Sequence, residues 1–473
     1  MANKKITFVF FAFDCYPYPL AKHLIDEGYE VIVGAIKEKK QLAIPGADDK
    51  ETPLFKSQRT SVHDGIVKKT PFGTVLGMLS KVPKDERDNY FIFFDHSNLY
   101  KISETVLKMG FKNGLFPTEW YYRMEKERAL AKDFVVKHYK DIKVAESNDF
   151  KSVKDGIKFL QGSEDSIFVL KSNGNYGRTI VPKTDDAEKA KQLIIEALEK
   201  DKKGYETGGF LLEKKIPNCL EVTPVMVFYN GEYVYSLVEF ENKEYGCGNI
   251  GSQKGGAQIL NVRTPQNCEI NRMAFPKIVY QLAKKQKGFA IYDMGLLYDG
   301  EDFYFTEYCA MRFGWDGCFS EIVMRDDGKP FVGAYFEDVM EGKNPLLNEF
   351  GASVRLFNLN GTGEETGAAQ DDIPVKWGEE VEDNLFLYLL KQKDGECVSV
   401  GGYDLLGSAT GASDVLGTAV GRAYGVIEGV NFENLYYRAQ FDYLSMDYRS
   451  SILSRYAAMK PFIEENDKDE DQD

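Results

Sequence analysis

Several charged residues stand where a phosphorylated ligand would need them. Lys171 ends the apolar run SIFVLK and is followed at once by SNGNYGR. A lysine at a strand end beside a glycine-containing turn can meet phosphate oxygens, and the turn's backbone N–H groups add donors. The pattern GxxxxGK[ST] is absent, so this is not a P-loop. Glu213 leaves the apolar strand GGFLLEKKI, where Leu211 and Leu212 could line a base pocket and the backbone could meet a nucleobase edge. Glu221 opens the next strand. Asp293 and Glu307 lie in adjacent expected strands joined by an Asp299–Gly300 turn, which would bring both carboxylates to one face. Two close carboxylates repel, and a hard divalent cation on nucleotide phosphates would relieve that. Arg312, in MRFGWDG, offers planar donors to phosphate. The stretch Gly246–Gly256 holds five glycines in eleven residues, with Ser252, Gln253 and Lys254 inside it, and reads as a loop that could wrap a substrate. Taken singly, each feature has an ordinary alternative: an edge lysine, a strand-end carboxylate, a surface loop.

Other chemistries lack support. There is no GxSxG elbow, none of the four histidines sits at metal-ligand spacing, and the first strand leads into AFDCYPYPL rather than GxGxxG. The seven cysteines, at 15, 219, 247, 268, 309, 318 and 397, include no CxxC pair, which points to reduced thiols in the cytoplasm. Net charge is -15, from 59 basic and 74 acidic residues, with no Lys/Arg block, so no nucleic-acid polymer is expected as a partner. A locally positive pocket remains compatible with that balance. No apolar run approaches the roughly eighteen residues of a membrane span. The opening MANKKITFVFFAFDCYP is broken by Asp14 and reads as a buried first strand rather than a leader.

The elements that must position these residues follow from periodicity. The 473 residues suggest about three domains. A strand over 5–13, a helix and a second strand near Glu30–Ala35 open a parallel α/β domain covering 1–110. Ile66–Val82, with its Gly and Pro, reads as an active-site loop. MEKERALAKDFVVKHY reads as one helix, and Asn230–Gly231 as a hairpin turn. A second domain covers 111–318, with a lid at about 150–215. A mixed third domain covers 319–455, marked by the Gly/Ser/Ala run Gly407–Gly417. An acidic tail, 456–473, closes the chain.

Six segments, in order, resemble phosphoribosylamine–glycine ligases of the ATP-grasp superfamily: GLFPTEW with MEKERALAKDFVVKHY, VLKSNGNYGRTIV, LLEKKIPNCLEVTPVMVFYNGE, GNIGSQKGGA, FYFTEYCAMRFG and YGVIEGVNFENLYYR. They span about residues 111–450. The resemblance implies an ATP-grasp fold, α/β and α+β, with an N-terminal parallel α/β domain and a C-terminal mixed one. It implies ATP as cosubstrate, Mg²⁺ (or Mn²⁺) as metal, and small-molecule carboxylate and amine partners in purine biosynthesis. The protein would be a monomer or small homo-oligomer. Arg128 and Lys171 fall on nucleotide-phosphate positions, Leu212 and Glu213 on the adenine–ribose hinge, and Glu221 on the carboxylate that follows. Glu307 falls on a metal ligand, with Asp293 matching an aspartate used by other ATP-grasp enzymes. Gly255 and Gly256 fall in the substrate loop, and Arg312 on the arginine of its RFG element. Cys309 stands where the family has a metal-ligating Asn, and the N-terminal GNGGREHA element is missing. These departures keep two alternatives open: a ligase for another amino acid or a modified nucleotide, and a non-catalytic ATP-binding protein.

Overall fold

Strand β1 (Thr7–Ala12) is buried along its whole length, as its apolar run requires. Helix α1 (Pro17–Asp26) follows, begun by prolines whose fixed φ suits a first turn, and then β2 (Glu30–Ala35). β1 lies parallel to β2 and to β3 (Tyr90–Phe94), and Phe10 stacks on Phe93 at 4.9 Å. This computed structural model describes residues 6–13, 16–35, 61–163, 166–173, 179–309, 317–359, 370–401, 404–445 and 451–464, with backbone alone for Tyr245, Ser252 and Lys254. Asp14, Cys15, residues 174–178, where a glycine-containing turn is expected, and Arg312 lie outside the described residues. Ile66–Val82 is not a loop: it holds the strand Lys69–Pro71 and the helix Phe72–Leu79, whose Val75 and Leu79 are buried.

The expected single helix over 124–139 is two. Helix α2 (Glu119–Lys126) stops at Glu127, whose φ of -102° and ψ of 78° break the spiral, and α3 (Arg128–His138) starts anew. The break puts Arg128 at a helix start, where its side chain can leave the helix surface.

A small antiparallel sheet comes next, in the order β4 (Ser147–Phe150), β6 (Phe210–Lys214), β5 (Phe168–Ser172). It has its own core, with Leu160, Leu170, Ile194, Leu198, Phe210 and Leu212.

Among the described residues, the large sheet has fifteen strands. Its middle holds β7 (Leu220–Tyr229), β8 (Glu232–Gly246), β9 (Ile250–Thr264), β10 (Phe289–Tyr298) and β11 (Phe303–Tyr308). Asn230 and Gly231, with φ of 50° and 90°, make the tight turn between β7 and β8. The short strand Gly114–Leu115 links β10 to β3, so the parallel N-terminal strands continue into the antiparallel middle. On the other side, β12 (Phe350–Asn358) pairs with β9, and β13 (Leu405–Ser413) with β12. The first half of the Gly/Ser/Ala run is therefore a buried strand of this sheet. A Cβ on Gly411 would lie 2.5 Å from the Ala419 carbonyl oxygen, so glycine lets the helix Leu416–Glu428 lie directly on β13.

The glycine-rich stretch Gly246–Gly256 is likewise not a wrapping loop. It is the tip of the β8–β9 hairpin, with register shifts between Asn242 and Glu244 and between Glu244 and Gly246. Residues 456–463, which composition joins to the tail, belong to helix α4 (Ile452–Ile463), whose Met459 and Ile463 are buried.

Candidate nucleotide-binding site

A cleft of about 350 Å³ opens between the small sheet and the middle of the large one. Arg128, Lys171, Glu213, Glu221 and Glu307 all line it. Five residues scattered over 180 positions thus meet because α3, β5, β6, β7 and β11 converge there.

Glu307 and Arg128 form one end. Arg128 Nη1 lies 3.0 Å from Glu307 Oε2, and its Nε donates to the Ser172 carbonyl at 3.1 Å. Burial opposes the charge of Glu307, but Arg128, Lys243 and Lys171 outweigh it and hold the carboxyl down at about 2. Asp293 and Glu307 belong to paired strands, Glu307 opposite Gly295 and the Cys309 N–H donating to the Asp293 carbonyl at 3.0 Å. They share a face of the hairpin, as the turn at Asp299–Gly300 suggests. Glu307 lines the cleft; Asp293 is buried and does not.

Lys171 meets a partner that sequence spacing does not reveal. On β5 and β6, Lys171 is opposite Leu211, and Val169 opposite Glu213, which places Lys171 and Glu213 on one face. Lys171 Nζ lies 2.7 Å from Glu213 Oε1, and Lys132 Nζ, from α3, lies 2.5 Å from Oε2. Glu213 is 4% exposed. Burial favours its protonated form, but the two lysines prevail and keep its pKa below the usual carboxylate value. Burial pulls the pKa of Lys132 below that of an ordinary lysine. Lys132 also donates to Ser147 Oγ at 2.7 Å, tying α3 to the small sheet. It was absent from the sequence candidates, although it sits one helical turn after Arg128, on the same side of α3.

Lys243 was also missed. Its Nζ lies 2.6 Å from Glu221 and 3.4 Å from Glu241. Burial opposes its charge, but Glu221, Glu241 and Glu307 raise its pKa well above the ordinary value. Glu221 is therefore a paired wall residue rather than a free carboxylate.

Leu211 and Leu212 do not form the apolar wall. Both are fully buried, Leu212 in the core of the small sheet. The apolar lining comes from Val169, Val181, Ile216, Leu220 and Leu297, beside the chain Lys214–Lys215–Ile216. Gly255 and Gly256 do not line the cleft either; of that stretch, Asn249 and Gln253 do. Gly255 has φ of +78°, and a Cβ there would lie 3.1 Å from the Arg355 guanidinium.

Among the described residues, six cationic side chains (Arg128, Lys171, Lys214, Lys215, Lys243, Arg455) and five carboxylates (Glu213, Glu221, Glu241, Glu244, Glu307) line the cleft and nearly balance. A polyphosphate would overload it with negative charge without a divalent cation. Mg²⁺ takes one or two carboxylates and completes its shell with phosphate oxygens and water. Glu307, held ionised, fits as one such ligand. No group of three His, Cys, Asp or Glu poised to hold a metal occurs among the described residues.

No protein-family model matches the sequence, and no curated protein sequence does. Solved structures do. The phosphoribosylamine–glycine ligase of Thermotoga maritima is 17% identical at a TM-score of 0.59, over 92% of this chain and 99% of that one. Biotin carboxylase from Campylobacter jejuni, in a complex with an ATP analogue, is 12% identical at a TM-score of 0.56, over 92% and 94%. The biotin carboxylase domain of the Hydrogenobacter thermophilus 2-oxoglutarate carboxylase, in complex with MgADP and bicarbonate, is 11% identical at a TM-score of 0.52, over 91% of each chain. The chain has the ATP-grasp fold over nearly its full length.

Proposed function

We propose that this ATP-grasp chain is an ATP-dependent carboxylate–amine ligase, with glycine as carboxylate donor and phosphoribosylamine or a related amine as acceptor. The observation that carries the reading is the convergence of Arg128, Lys171 and Lys243 on one cleft with Glu307. The apolar wall by Lys214–Ile216 suits a nucleobase, and Glu221 suits ribose hydroxyls. Arg128, Lys171 and Lys243 suit the polyphosphate, by charge stabilisation at the transferring group. Mg²⁺ would be held by Glu307, with Asp293 on the same hairpin face, and would neutralise phosphate charge.

In the reaction, a carboxylate oxygen takes the terminal phosphoryl group of ATP, giving an acyl phosphate and ADP. The amine then attacks the acyl carbon, phosphate leaves, and the amide forms as the nitrogen gives up a proton. The protein's own contribution is to position these groups and shield the acyl phosphate from water. The turn 173–178 would serve as the lid and Arg312 as a further cation; both are sequence-based assignments. The test is ADP release over a panel of carboxylates and amines. Turnover with glycine and phosphoribosylamine is expected; turnover with another pair only would replace the named substrates.

One observation favours that second outcome. At the carboxyl end of β1, Asp95 Oδ1 accepts the Phe13 N–H at 2.8 Å, and α1 begins at a proline without an N–H. A carboxylate there, and a missing donor, suit an acceptor amine without a phosphate better than one that carries it.

A further inference from the structure

The β7–β8 ladder ends at the pair Thr223–Glu239. Two residues on, Glu241 would face Glu221, but no such pair forms. Instead the Glu241 carbonyl accepts from Arg455 Nη1 at 2.9 Å, and Asn242 Oδ1 accepts from Nη2 at 2.7 Å. Arg455 comes from α4, more than two hundred residues later, and is 5% exposed. Glu241, Asn242, Lys243 and Glu244 all line the cleft beside this contact, and Lys243 shares a face with Glu241, 3.4 Å away. The β8–β9 register shifts just beyond, between Asn242 and Glu244, and Arg455 satisfies the carbonyl that the β7–β8 ladder abandons. Its Nε is buried, with no hydrogen-bond partner among the described residues, and Arg455 itself lines the cleft.

The helix that carries Arg455 is held by aromatic packing: Tyr456 on Phe240 and Phe350, and Phe462 on Tyr298 and Phe303. We propose that Arg455 is a positioning residue that wedges β7 and β8 apart, sets Lys243 in the cleft, and so couples nucleotide binding to docking of the C-terminal helix. The inference rests on the nucleotide reading of the cleft. Its consequence is reciprocal: nucleotide must tighten the helix by the same factor as the docked helix tightens nucleotide.

The experiment uses the full chain with Arg455→Lys and Arg455→Met. Mg-ATP affinity is measured by calorimetry, and hydrogen exchange of 452–463 is followed with and without Mg-ATP. Wild type should bind and show slower exchange in 452–463 when it does. Arg455→Met should bind at least about fivefold more weakly, within the usual range of coupling factors, and lose that protection, while Arg455→Lys should recover part of both. A role in packing alone would lower the melting temperature of the ligand-free variants and leave affinity unchanged. If Arg455→Met does not fold, Arg455→Lys and the wild-type exchange carry the test. Unchanged affinity in the folded variants, or no nucleotide-dependent protection in wild type, overturns the coupling alone. Wild type that does not bind Mg-ATP overturns the nucleotide reading and the coupling with it.

Discussion

Replacing Glu213 with Gln probes the buried triad most sharply. In the native protein one carboxylate separates two lysines, at 2.5 and 2.7 Å, with side chains 5% (Glu213), 8% (Lys132) and 11% (Lys171) exposed. The substitution keeps the shape and removes the charge. With the ammonium groups on opposite oxygens of one carboxylate, they stand on the order of 5 Å apart, and at an effective dielectric of about 20 they repel by about 3 kcal/mol. The figure agrees with the ~3–5 kcal/mol that breaking a buried pair usually costs. The lysines can escape part of it by losing a proton, and Lys132, already depressed, is the one placed to do so. A lysine pKa depressed in the folded variant means that the unfolded chain binds more protons, so stability rises with pH up to the ordinary lysine value of about 10.4. Glu213→Gln should therefore lose about 3 kcal/mol at neutral pH and recover part of it by about pH 9. Hydrogen exchange over 147–214 reads the loss where it occurs, since this sheet has its own core. A variant within about 1 kcal/mol of wild type at pH 7, or a deficit that does not shrink with pH, refutes the charge-balance account.

Other substitutions separate chemistry from stability. Glu307→Gln removes a carboxylate that is 38% exposed, so its thermal cost should stay near 1 kcal/mol, whereas turnover should fall by about a hundredfold. Equal activity would show that the phosphate end of the cleft is misplaced. Buried His23 and His63 hydrogen-bond through Nε2 to the Leu385 and Leu387 carbonyl oxygens. Burial lowers both pKa values to about 4. The unfolded chain then binds more protons between about pH 6.5 and 4, so stability should be complete above that window and fall by up to about 3 kcal/mol per histidine through it. Urea midpoints that stay flat from pH 7 to 5 would contradict this. Gly411→Val should destabilise by about 3 kcal/mol through backbone overlap, whereas Gly421→Ala, with open space in the same helix region, should stabilise by up to about 1 kcal/mol. Matching melting shifts for the two would refute the packing argument.

What the sequence makes legible follows the range of the forces involved. β1, α1 and β2, the Asn230–Gly231 turn and the β10–β11 hairpin come from local pattern and turn chemistry, and the structure contains them. Lys171, Glu213 and Glu307 are visible as charges at the ends of apolar runs, and Arg128 through the family resemblance. Lys243 is not, because its carboxylate partner Glu221 comes from the neighbouring strand β7 and only the fold brings the two together. Arg455 is not, because its partners lie more than two hundred residues away. Leu212 misleads because its side chain is drawn into the core of the small sheet, and Leu211 is buried too, which leaves the chain after Glu213 to border the cleft. The glycines of 246–256 read as a loop. In the structure Gly246, Gly255 and Gly256 sit in the strands of the β8–β9 hairpin, and a Cβ on Gly256 would lie 2.2 Å from Ile259.

The central claim is phosphoryl transfer from ATP to a carboxylate before amide formation. The direct measurement supplies glycine labelled with heavy oxygen in its carboxylate, Mg-ATP and an acceptor amine, and follows the label by mass spectrometry. An acyl phosphate predicts one labelled oxygen in each inorganic phosphate released, with the second retained in the amide. Phosphate released without label, while ADP and amide accumulate, would contradict the account.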